Sequence, residues 1–322
     1  MKTTGSPQNS VEERAEKALE AFAAITGGAP SYAAAMPPVA SPSYHAVESH
    51  TFTVAPSAKE ATFFLRLGVE EVADLVDGNV AFAAARQLHG LGISPAPLGY
   101  DAATGSILSA RLANGWRAAR IDDLMQPDTV ARLIAMQKTI AAGAAFGRQW
   151  SVFDGIDQLW AILLASSGTD LPGEAEWMFS WMEPIREAIA AAGIDMWPAH
   201  GDPHSSNVML GPKGELQLVD FDMAAEMDPY YQLGVQMNEL YQFESQMKPL
   251  LEMHDGRFIE KAFNRCRVYA AADDLYWALR SLVLELRSPP KGVEFLKYAG
   301  WRFLRCRMML GHPDFEARLR LL

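Results

Sequence analysis

The spacing of apolar positions indicates an amphipathic helix near the start of the chain. Residues 10–13 (SVEE) have the form of a capping box, and the apolar positions after them recur at helical spacing to about Ala24. Residues 27–44 are rich in Gly, Pro and Ser, a composition typical of a loop or linker. Residues 1–43 are therefore predicted to form an N-terminal helix followed by a linker.

After this segment, polar and apolar residues alternate with a period of two instead of following helical spacing. Residues 51–54 alternate polar and apolar side chains, and residues 61–67 and 105–110 also have the pattern of strands. A helical stretch lies between them at about 78–91. Strands with one helix predict a small α+β unit at residues 44–110.

Most of the remaining chain has helical periodicity, at about 112–199 and 228–322. Between these blocks, residues 208–210 and 216–219 are predicted to be two short strands joined by a Gly-Pro-Lys-Gly turn. The fold class is therefore predicted to be α+β, with a small β-rich lobe and a larger helical lobe at residues 111–322. A chain of 322 residues is also longer than one hydrophobic core usually serves.

The charge and composition narrow the class of protein. The formal net charge is −11, which argues against nucleic acid as a partner. The only two cysteines, Cys266 and Cys306, suit a reducing compartment. No segment has the form of a signal peptide, and no apolar run reaches the roughly 18 residues of a membrane span. We expect a soluble, cytoplasmic protein, and the composition leaves its oligomeric state open.

The densest group of potential catalytic side chains begins at the segment HGDPH, residues 200–204. Asn207 follows Asp202 in a short loop, and Asp220 ends the second strand of the predicted hairpin. Phosphoryl transfer requires a carboxylate near the acceptor hydroxyl and oxygen ligands that hold Mg²⁺ on the phosphates. The joint spacing of Asp202, Asn207 and Asp220 favours this chemistry.

The segment resembles the catalytic core of the aminoglycoside phosphotransferase and choline kinase superfamily, and the choline/ethanolamine kinase branch fits best. The likeness covers residues 44–310. FFLRLG at residues 63–68 resembles the strand that carries the basic residue of the nucleotide site. Residues 228–230 and 238–239 resemble the helix that follows the metal-binding Asp. The resemblance implies a two-lobed, protein-kinase-like fold and a small-molecule kinase.

The resemblance also implies a role for each matching residue. Asp202 would be the catalytic base, and Asn207 and Asp220 would be the Mg²⁺ ligands. Arg66 would contact the nucleotide phosphates, and Asp222 would be a second acidic residue of the site. The implied donor is ATP, with GTP not excluded. The implied partner is a small-molecule acceptor with a hydroxyl group, such as choline, ethanolamine or a related amino alcohol.

Three features depart from the family pattern. Residues 45–50 stand in place of the glycine-rich loop that covers the nucleotide, but they contain no glycine, and Glu48 adds negative charge there. The acidic partner expected for Arg66 falls at about Ala81, and an Asp usual in the helix after the metal-binding loop is Gln232. These departures favour a second hypothesis, a pseudokinase-like binding or regulatory protein with a degraded nucleotide-binding lobe.

Other interpretations of the same residues remain open. His200, Asp202 and His204 alternate along the chain and could be ligands of a metallo-hydrolase, although the other five histidines form no completing cluster. Alternatively, His200 holds the loop and His204 is a loop residue or a substrate contact. Asp and Asn also favour ordinary turns. Arg66 could be a solvated residue at a sheet edge.

Aromatic residues of the C-terminal helices are candidates for an acceptor pocket. Tyr276, Trp277 and Trp301 lie at helical spacing, where large aromatic side chains usually pack in a core. Such side chains also bind quaternary ammonium groups. Glu239 or Glu244 could favour a cation beside them. Core packing and an acceptor wall are both open hypotheses for Trp277.

Overall fold

A computed structural model of the chain describes residues 1–39, 47–56, 60–166, 171–288 and 294–322. The strands in these ranges are β1 (Lys2–Thr3), β2 (Ser31–Ala34), β3 (Ser49–Ala55), β4 (Phe63–Gly68), β5 (Pro97–Asp101), β6 (Ser106–Ala110), β7 (Arg117–Ala118), β8 (Trp197–Ala199), β9 (Val208–Leu210), β10 (Leu216–Leu218) and β11 (Ala225–Met227). The α-helices are α1 (Ser10–Ala21), α2 (Ala23–Thr26), α3 (Gly78–His89), α4 (Ile121–Leu124), α5 (Pro127–Ala141), α6 (Val152–Ala165), α7 (Ala175–Ser180), α8 (Met182–Ala192), α9 (Pro229–Leu240), α10 (Glu244–Asp255), α11 (Glu260–Arg287), α12 (Phe295–Leu310) and α13 (Phe315–Arg320).

The described residues divide into two compact units. The first contains residues 1–118 together with 206–223, and the second contains residues 119–205 together with 224–322. The first unit holds a small antiparallel sheet, and the second is mostly helical. This arrangement confirms the predicted α+β fold class.

The first unit is built on a six-stranded sheet in the order β1-β2-β3-β4-β6-β5. All neighbouring strands in it are antiparallel. Apolar side chains that alternate along the strands form its core with helix α1, and they include Phe52, Val54, Leu65, Leu67 and Leu108. The period-two pattern predicted β3, β4 and β6 to within about two residues at each end.

The N-terminal residues contribute strands and a helix to this sheet and its core. The predicted helix is present as α1, but its cap is Asn9, whose Oδ1 accepts the Glu12 N–H at 3.0 Å. Leu19 of α1 is buried in the core, and β2 pairs with β3. Strand β2 escaped prediction because it is only four residues long and lies in a Pro-rich and Ala-rich segment. Residues 40–46 of the predicted linker and loop lie outside the described residues.

The predicted hairpin is present as β9 and β10, and β7 adds a third strand beside β9. The hairpin belongs to the first unit, although the sequence placed it in the helical lobe. The Leu218 N–H donates to the Ile93 carbonyl at 2.7 Å, which ties the hairpin to the segment before β5. Such long-range pairings carry no local sequence pattern. Strand β5 was also missed, because Pro95 and Pro97 resemble a loop, although Pro97 is tolerated as the first residue of this edge strand.

The second unit is organised around α11, which is 28 residues long. This helix packs against α6, α9 and α12, and its side chains are buried around most of its circumference. A two-stranded sheet of β8 and β11 is the only regular strand pairing described in this unit. Across the described ranges, every helix is too short or too polar to span a bilayer.

Candidate active site

Asp220 follows strand β10 with its backbone in the left-handed region, at φ +65°. It is the only non-glycine residue of the described ranges in this region. Asp tolerates this conformation better than most residues, and strained positions of this kind concentrate at functional sites. The Asp220 side chain is 39% exposed, although its Oδ1, which faces Arg66, is buried.

The β9–β10 hairpin holds Asn207 close to Asp220. Leu218 lies opposite Val208 in the strand register. The Val219 N–H donates to the Asn207 carbonyl at 3.0 Å, which extends the pairing by one step. The backbone therefore brings the two predicted metal ligands to the same end of the hairpin.

Asn207 and Asp220 together offer an amide oxygen and a carboxylate oxygen. These are the hard donors that Mg²⁺ prefers, and Mg²⁺ commonly keeps water and phosphate as its other ligands. The donor set therefore fits Mg²⁺. Within the part of the chain that the structure describes, no group of three or more His, Cys, Asp or Glu side chains could hold a metal ion. The metallo-hydrolase hypothesis for residues 200–204 stays a prediction.

Arg66 on β4 reaches both acidic residues that follow β10. Its Nη2 lies 3.2 Å from Asp220 Oδ1 and forms a hydrogen-bonded ion pair with Asp222 Oδ2. Burial would lower the pKa of the guanidinium, but the charges of Asp220, Asp222 and Glu48 outweigh it and raise the pKa. Arg66 lies on a strand between β3 and β6 and is mostly buried, so it is not a solvated residue at a sheet edge.

The acidic partner expected for Arg66 is absent at Ala81, which is buried on α3. Asp222 supplies a carboxylate to Arg66 instead. Of the glycine-free segment 45–50, residues 45 and 46 lie outside the described residues, and the segment leads into β3.

The loop that carries Asp202 belongs to the second unit and is fixed by three polar contacts. Gly201 has φ +84°, which only glycine adopts easily, and its N–H donates to Gln232 Oε1 at 3.1 Å. The Asp202 N–H donates to Nδ1 of the buried His200 at 3.3 Å. Gln232 therefore holds the loop with a neutral amide at the position where the family pattern has an acid. His200 therefore contacts the backbone of this loop, and a structural role for it stays a prediction.

The third contact is made by Glu239 of α9. Its two carboxylate oxygens accept the Ser205 N–H at 3.0 Å each, and Oε1 also accepts the Ser205 hydroxyl at 2.8 Å. Glu239 was a candidate for the acceptor pocket, but its carboxylate is engaged in holding the loop. The other candidate acid, Glu244, pairs with Arg318 at 2.8 Å.

His204 forms a hydrogen-bonded ion pair with Asp202 through Nδ1 and Oδ1. Burial would lower the pKa of the imidazole, but the Asp202 charge and hydrogen bond, with a contribution from Glu239, raise the pKa to about 9. His204 is therefore protonated at neutral pH and donates to the Asp202 carboxylate. It contacts the predicted base directly.

Tyr276 and Trp277 are buried on α11, whereas Trp301 on α12 is 52% exposed. The His204 ring packs edge-on against the Trp277 ring, with centroids 6.1 Å apart. The Arg280 guanidinium lies 5.8 Å from the Tyr276 centroid and 5.6 Å from the Trp277 centroid. The structure therefore links Trp277 to Asp202 through His204, and Tyr276 packs edge-on against Trp277 with ring centroids 5.4 Å apart. It leaves Trp301 at the surface.

The sequence missed a buried ionic cluster beneath these residues. Arg302 lies 2.6 Å from Asp273 and 2.9 Å from Asp274, and the Tyr231 hydroxyl donates to Asp273 at 2.8 Å. Burial raises the pKa of Asp273, although Arg302 opposes it. Two adjacent acids inside an otherwise apolar stretch of α11 were the available signal, because charged residues are rarely buried without a partner. Arg280 was missed as well.

Comparison with family models matches residues 48–275 to a family described as the phosphotransferase enzyme family. A sequence search of curated proteins finds no significant match. The matched residues include every predicted catalytic, metal and nucleotide position.

Solved structures match over nearly the whole chain. A choline/ethanolamine kinase family protein from Mesorhizobium loti is 23% identical with a TM-score of 0.75, covering 96% of this chain and 97% of that one. The choline kinase LicA from Streptococcus pneumoniae is 14% identical with a TM-score of 0.75, covering 92% and 98%. An aminoglycoside phosphotransferase in complex with GDP and kanamycin is 11% identical with a TM-score of 0.59, covering 87% and 93%. These likenesses confirm the predicted kinase-like fold.

Proposed function

We propose that the chain, which belongs to the phosphotransferase enzyme family, is a kinase that transfers the γ-phosphoryl group of ATP to a hydroxyl of a small molecule. The observation that carries the proposal is the grouping of Arg66 with Asp220 and Asp222 on the hairpin that also presents Asn207. A metal–nucleotide complex requires a cation for the phosphates, and carboxylate and amide oxygens for the metal.

Asn207 and Asp220 are the residues that would hold Mg²⁺. When bound, the ion would neutralise charge on the β- and γ-phosphate oxygens. The contact with Arg66 at 3.2 Å orients the Asp220 carboxylate at the end of the hairpin, so less of it has to be ordered when nucleotide binds. Arg66 supplies a permanent positive charge for phosphate, and Asp222 holds that charge in place.

Asp202 would orient the acceptor hydroxyl and accept its proton late in the transfer. A carboxylate is a weak base for an alcohol, so its main contribution is position. The loop contacts of Gln232 and Glu239, together with the His204 ion pair, keep the Asp202 carboxylate in one orientation.

The proposal includes a nucleotide as the phosphate donor and a small alcohol as the acceptor. The aminoglycoside phosphotransferase with a similar fold was solved with GDP, which supports testing GTP beside ATP. The similar folds of choline and choline/ethanolamine kinases make choline and ethanolamine the first acceptors to test. A small alcohol is the acceptor class that the chemistry of Asp202 supports.

The experiment that tests the proposal compares the wild-type chain with Asp202→Asn. We expect the variant to lose about 10²–10⁴-fold in phosphoryl transfer to the acceptor. It should keep Mg²⁺-dependent nucleotide binding, because Asp202 belongs to the acceptor side of the reaction. Asp195→Asn is the matched control, since Asp195 is an exposed acid of the same unit, and it should keep full activity. Unchanged turnover in Asp202→Asn would refute the assignment.

The same comparison decides the pseudokinase alternative. A wild-type chain that binds nucleotide but transfers phosphate to no hydroxyl acceptor would favour the binding or regulatory protein. Asp220→Ala tests the metal site separately: it should abolish Mg²⁺-dependent nucleotide binding, and undiminished binding would show that the metal lies elsewhere.

A further inference from the structure

The pair of Tyr276 and Trp277, which the His204 ring links to Asp202 through Trp277, already has a cation against it. Tyr276, Trp277 and Arg280 share one face of α11, because residues three and four apart on a helix are neighbours. The guanidinium lies 5.8 Å from the Tyr276 centroid and 5.6 Å from the Trp277 centroid, and Arg280 Nη1 donates to the Tyr276 hydroxyl at 2.7 Å. Arg280 is only 2% exposed, so this contact is shielded from water.

The remaining surfaces of the two rings are covered by the chain. The His204 ring lies edge-on to Trp277, and the Trp150 ring lies edge-on to Tyr276 at 5.5 Å. A Cβ atom at Gly155 would lie 2.7 Å from the Tyr276 ring, so this position is also closely packed. An incoming ligand therefore finds neither ring open.

The charges around Trp277 disfavour a further cation. His204 is protonated at neutral pH because Asp202 keeps its pKa at about 9 against the effect of burial, so Trp277 contacts two positive side chains, His204 and Arg280. Glu239, the acid predicted to attract a cation, is hydrogen-bonded to Ser205. A trimethylammonium group would have to displace Arg280 to reach the ring face, because cation–π attraction requires the cation within about 6 Å of the centroid.

We propose that Arg280 is a specificity-determining residue: it fills the aromatic cation site beside Asp202 from within the chain and excludes quaternary ammonium acceptors. The acceptor class is therefore alcohols without a trimethylammonium group. The role of Arg280 in acceptor choice rests on the proposed kinase function. Whether Arg280 blocks ammonium binding at the two rings can be tested without measuring turnover.

The test is calorimetric titration of tetramethylammonium and choline into four proteins: the wild-type chain, Arg280→Ala, Arg280→Met and Arg280→Lys. Arg280→Ala removes both the charge and most of the side-chain volume, so it opens the ring faces. Arg280→Met keeps most of the volume without the charge, and Arg280→Lys keeps the charge. Trp277→Leu, which removes the larger ring, is examined in addition, both alone and in the Arg280→Ala protein.

We expect no saturable binding to the wild-type, Met and Lys proteins at millimolar ligand. Arg280→Ala should bind both ligands at least about 10-fold more tightly than wild type, and Trp277→Leu should remove that gain. Saturable tetramethylammonium binding to the wild type that Trp277→Leu abolishes would overturn the proposal. Absence of binding in a folded Arg280→Ala protein would overturn it too, because the rings would then not be a cation site.

Circular dichroism and thermal melts establish whether Arg280→Ala folds. If it does not, the comparison of wild type with Trp277→Leu decides alone: no wild-type binding supports the proposal, and Trp277-dependent binding refutes it. Mg²⁺-dependent ATP binding is measured on the same preparations. Its failure would refute the proposed kinase function, whereas ammonium binding by the wild type would refute only the role of Arg280.

Discussion

The Arg66 guanidinium on β4 forms a hydrogen-bonded ion pair with the Asp222 carboxylate, two residues beyond the predicted metal ligand Asp220. A basic residue on this strand was expected to pair with an acid on the following helix, where Ala81 stands instead. Both partners of the ion pair that replaces it lie in the first unit. The missing helix acid therefore does not leave Arg66 unsupported, which removes one of the arguments for a pseudokinase.

Asp222 is predicted to act as a positioning residue for Arg66. Asp222→Asn should raise the KM for ATP about 10-fold or more and leave the KM for the acceptor unchanged, because it loosens only the cation at the phosphates. Asp222→Glu, which keeps the charge, should recover part of the loss. Steady-state kinetics, with ATP and the acceptor varied in turn, measures the two KM values separately.

A double-mutant cycle with Arg66→Ala is the control for this role. We expect Arg66 and Asp222 to be coupled by about 0.5–3 kcal/mol in ATP binding, as is typical of contacting charged pairs. Additive effects of the two substitutions would contradict a role of Asp222 through Arg66.

Gln232 is predicted to be required for catalysis through the loop that carries Asp202. Gln232→Leu leaves the buried Gly201 N–H without its acceptor, at a cost of about 1–3 kcal/mol, and should lower kcat by loosening the loop. Gln236→Leu is the matched control on the same helix, because Gln236 accepts from Gln137 at 3.1 Å. It should lower stability by a similar amount and leave kcat intact. An equal loss of kcat in both variants would show that the effect is only structural.

Gly234 is predicted to be required for the packing of α9 against α11. A Cβ atom there would lie 2.3 Å from the Cys266 carbonyl oxygen. Gly234→Ala should therefore destabilise the fold by about 1–3 kcal/mol and lower Tm. Gly300→Ala is the control, since a Cβ there meets nothing within 4 Å and Ala is the better helix former by up to about 1 kcal/mol. Thermal melts in which both variants behave alike would contradict the close approach.

The His204–Asp202 pair predicts a loss of stability at alkaline pH. Burial would lower the pKa of His204, but Asp202 raises it from an ordinary value of 6.5 to about 9. The native state therefore holds the proton more tightly than the unfolded state. The pair contributes about 1–3 kcal/mol to the free energy of unfolding. This contribution is complete below about pH 6.5 and is lost as the pH rises through 9. Urea unfolding at pH 6 and pH 9 should show a larger loss in wild type than in His204→Gln, and equal losses would refute the pair.

The local chemistry of the site could be predicted from the sequence because its residues lie close together along the chain. The segment HGDPH and the hairpin strands before Asp220 carry turn residues and alternation that are visible without a structure. Asp222 was identified as an acid of the site, but its contact with Arg66 was not predictable, because the two residues are 156 positions apart and only the folded chain makes the contact. The role of Gln232 toward Gly201 was hidden for the same reason.

For the aromatic pair of Tyr276 and Trp277, the prediction from sequence was incomplete. Tyr276 and Trp277 were identified as an ammonium site or as core, and neither hypothesis included Arg280 three residues further on. The spacing alone places that guanidinium on the same helix face, so this contact could have been predicted. The strand β2 could not be predicted, because a four-residue strand is stabilised by pairing with β3 rather than by its own sequence pattern.

A thermal-shift titration with ATP and GTP, each with and without Mg²⁺, tests the central claim most directly. A ligand at a hundred times its Kd adds about 2.7 kcal/mol to the free energy of unfolding. For a chain of this size we predict a Mg²⁺-dependent rise in Tm on the order of 3–8 °C, which Asp220→Ala should abolish. No rise with either nucleotide at millimolar concentration would contradict a nucleotide-dependent phosphotransferase.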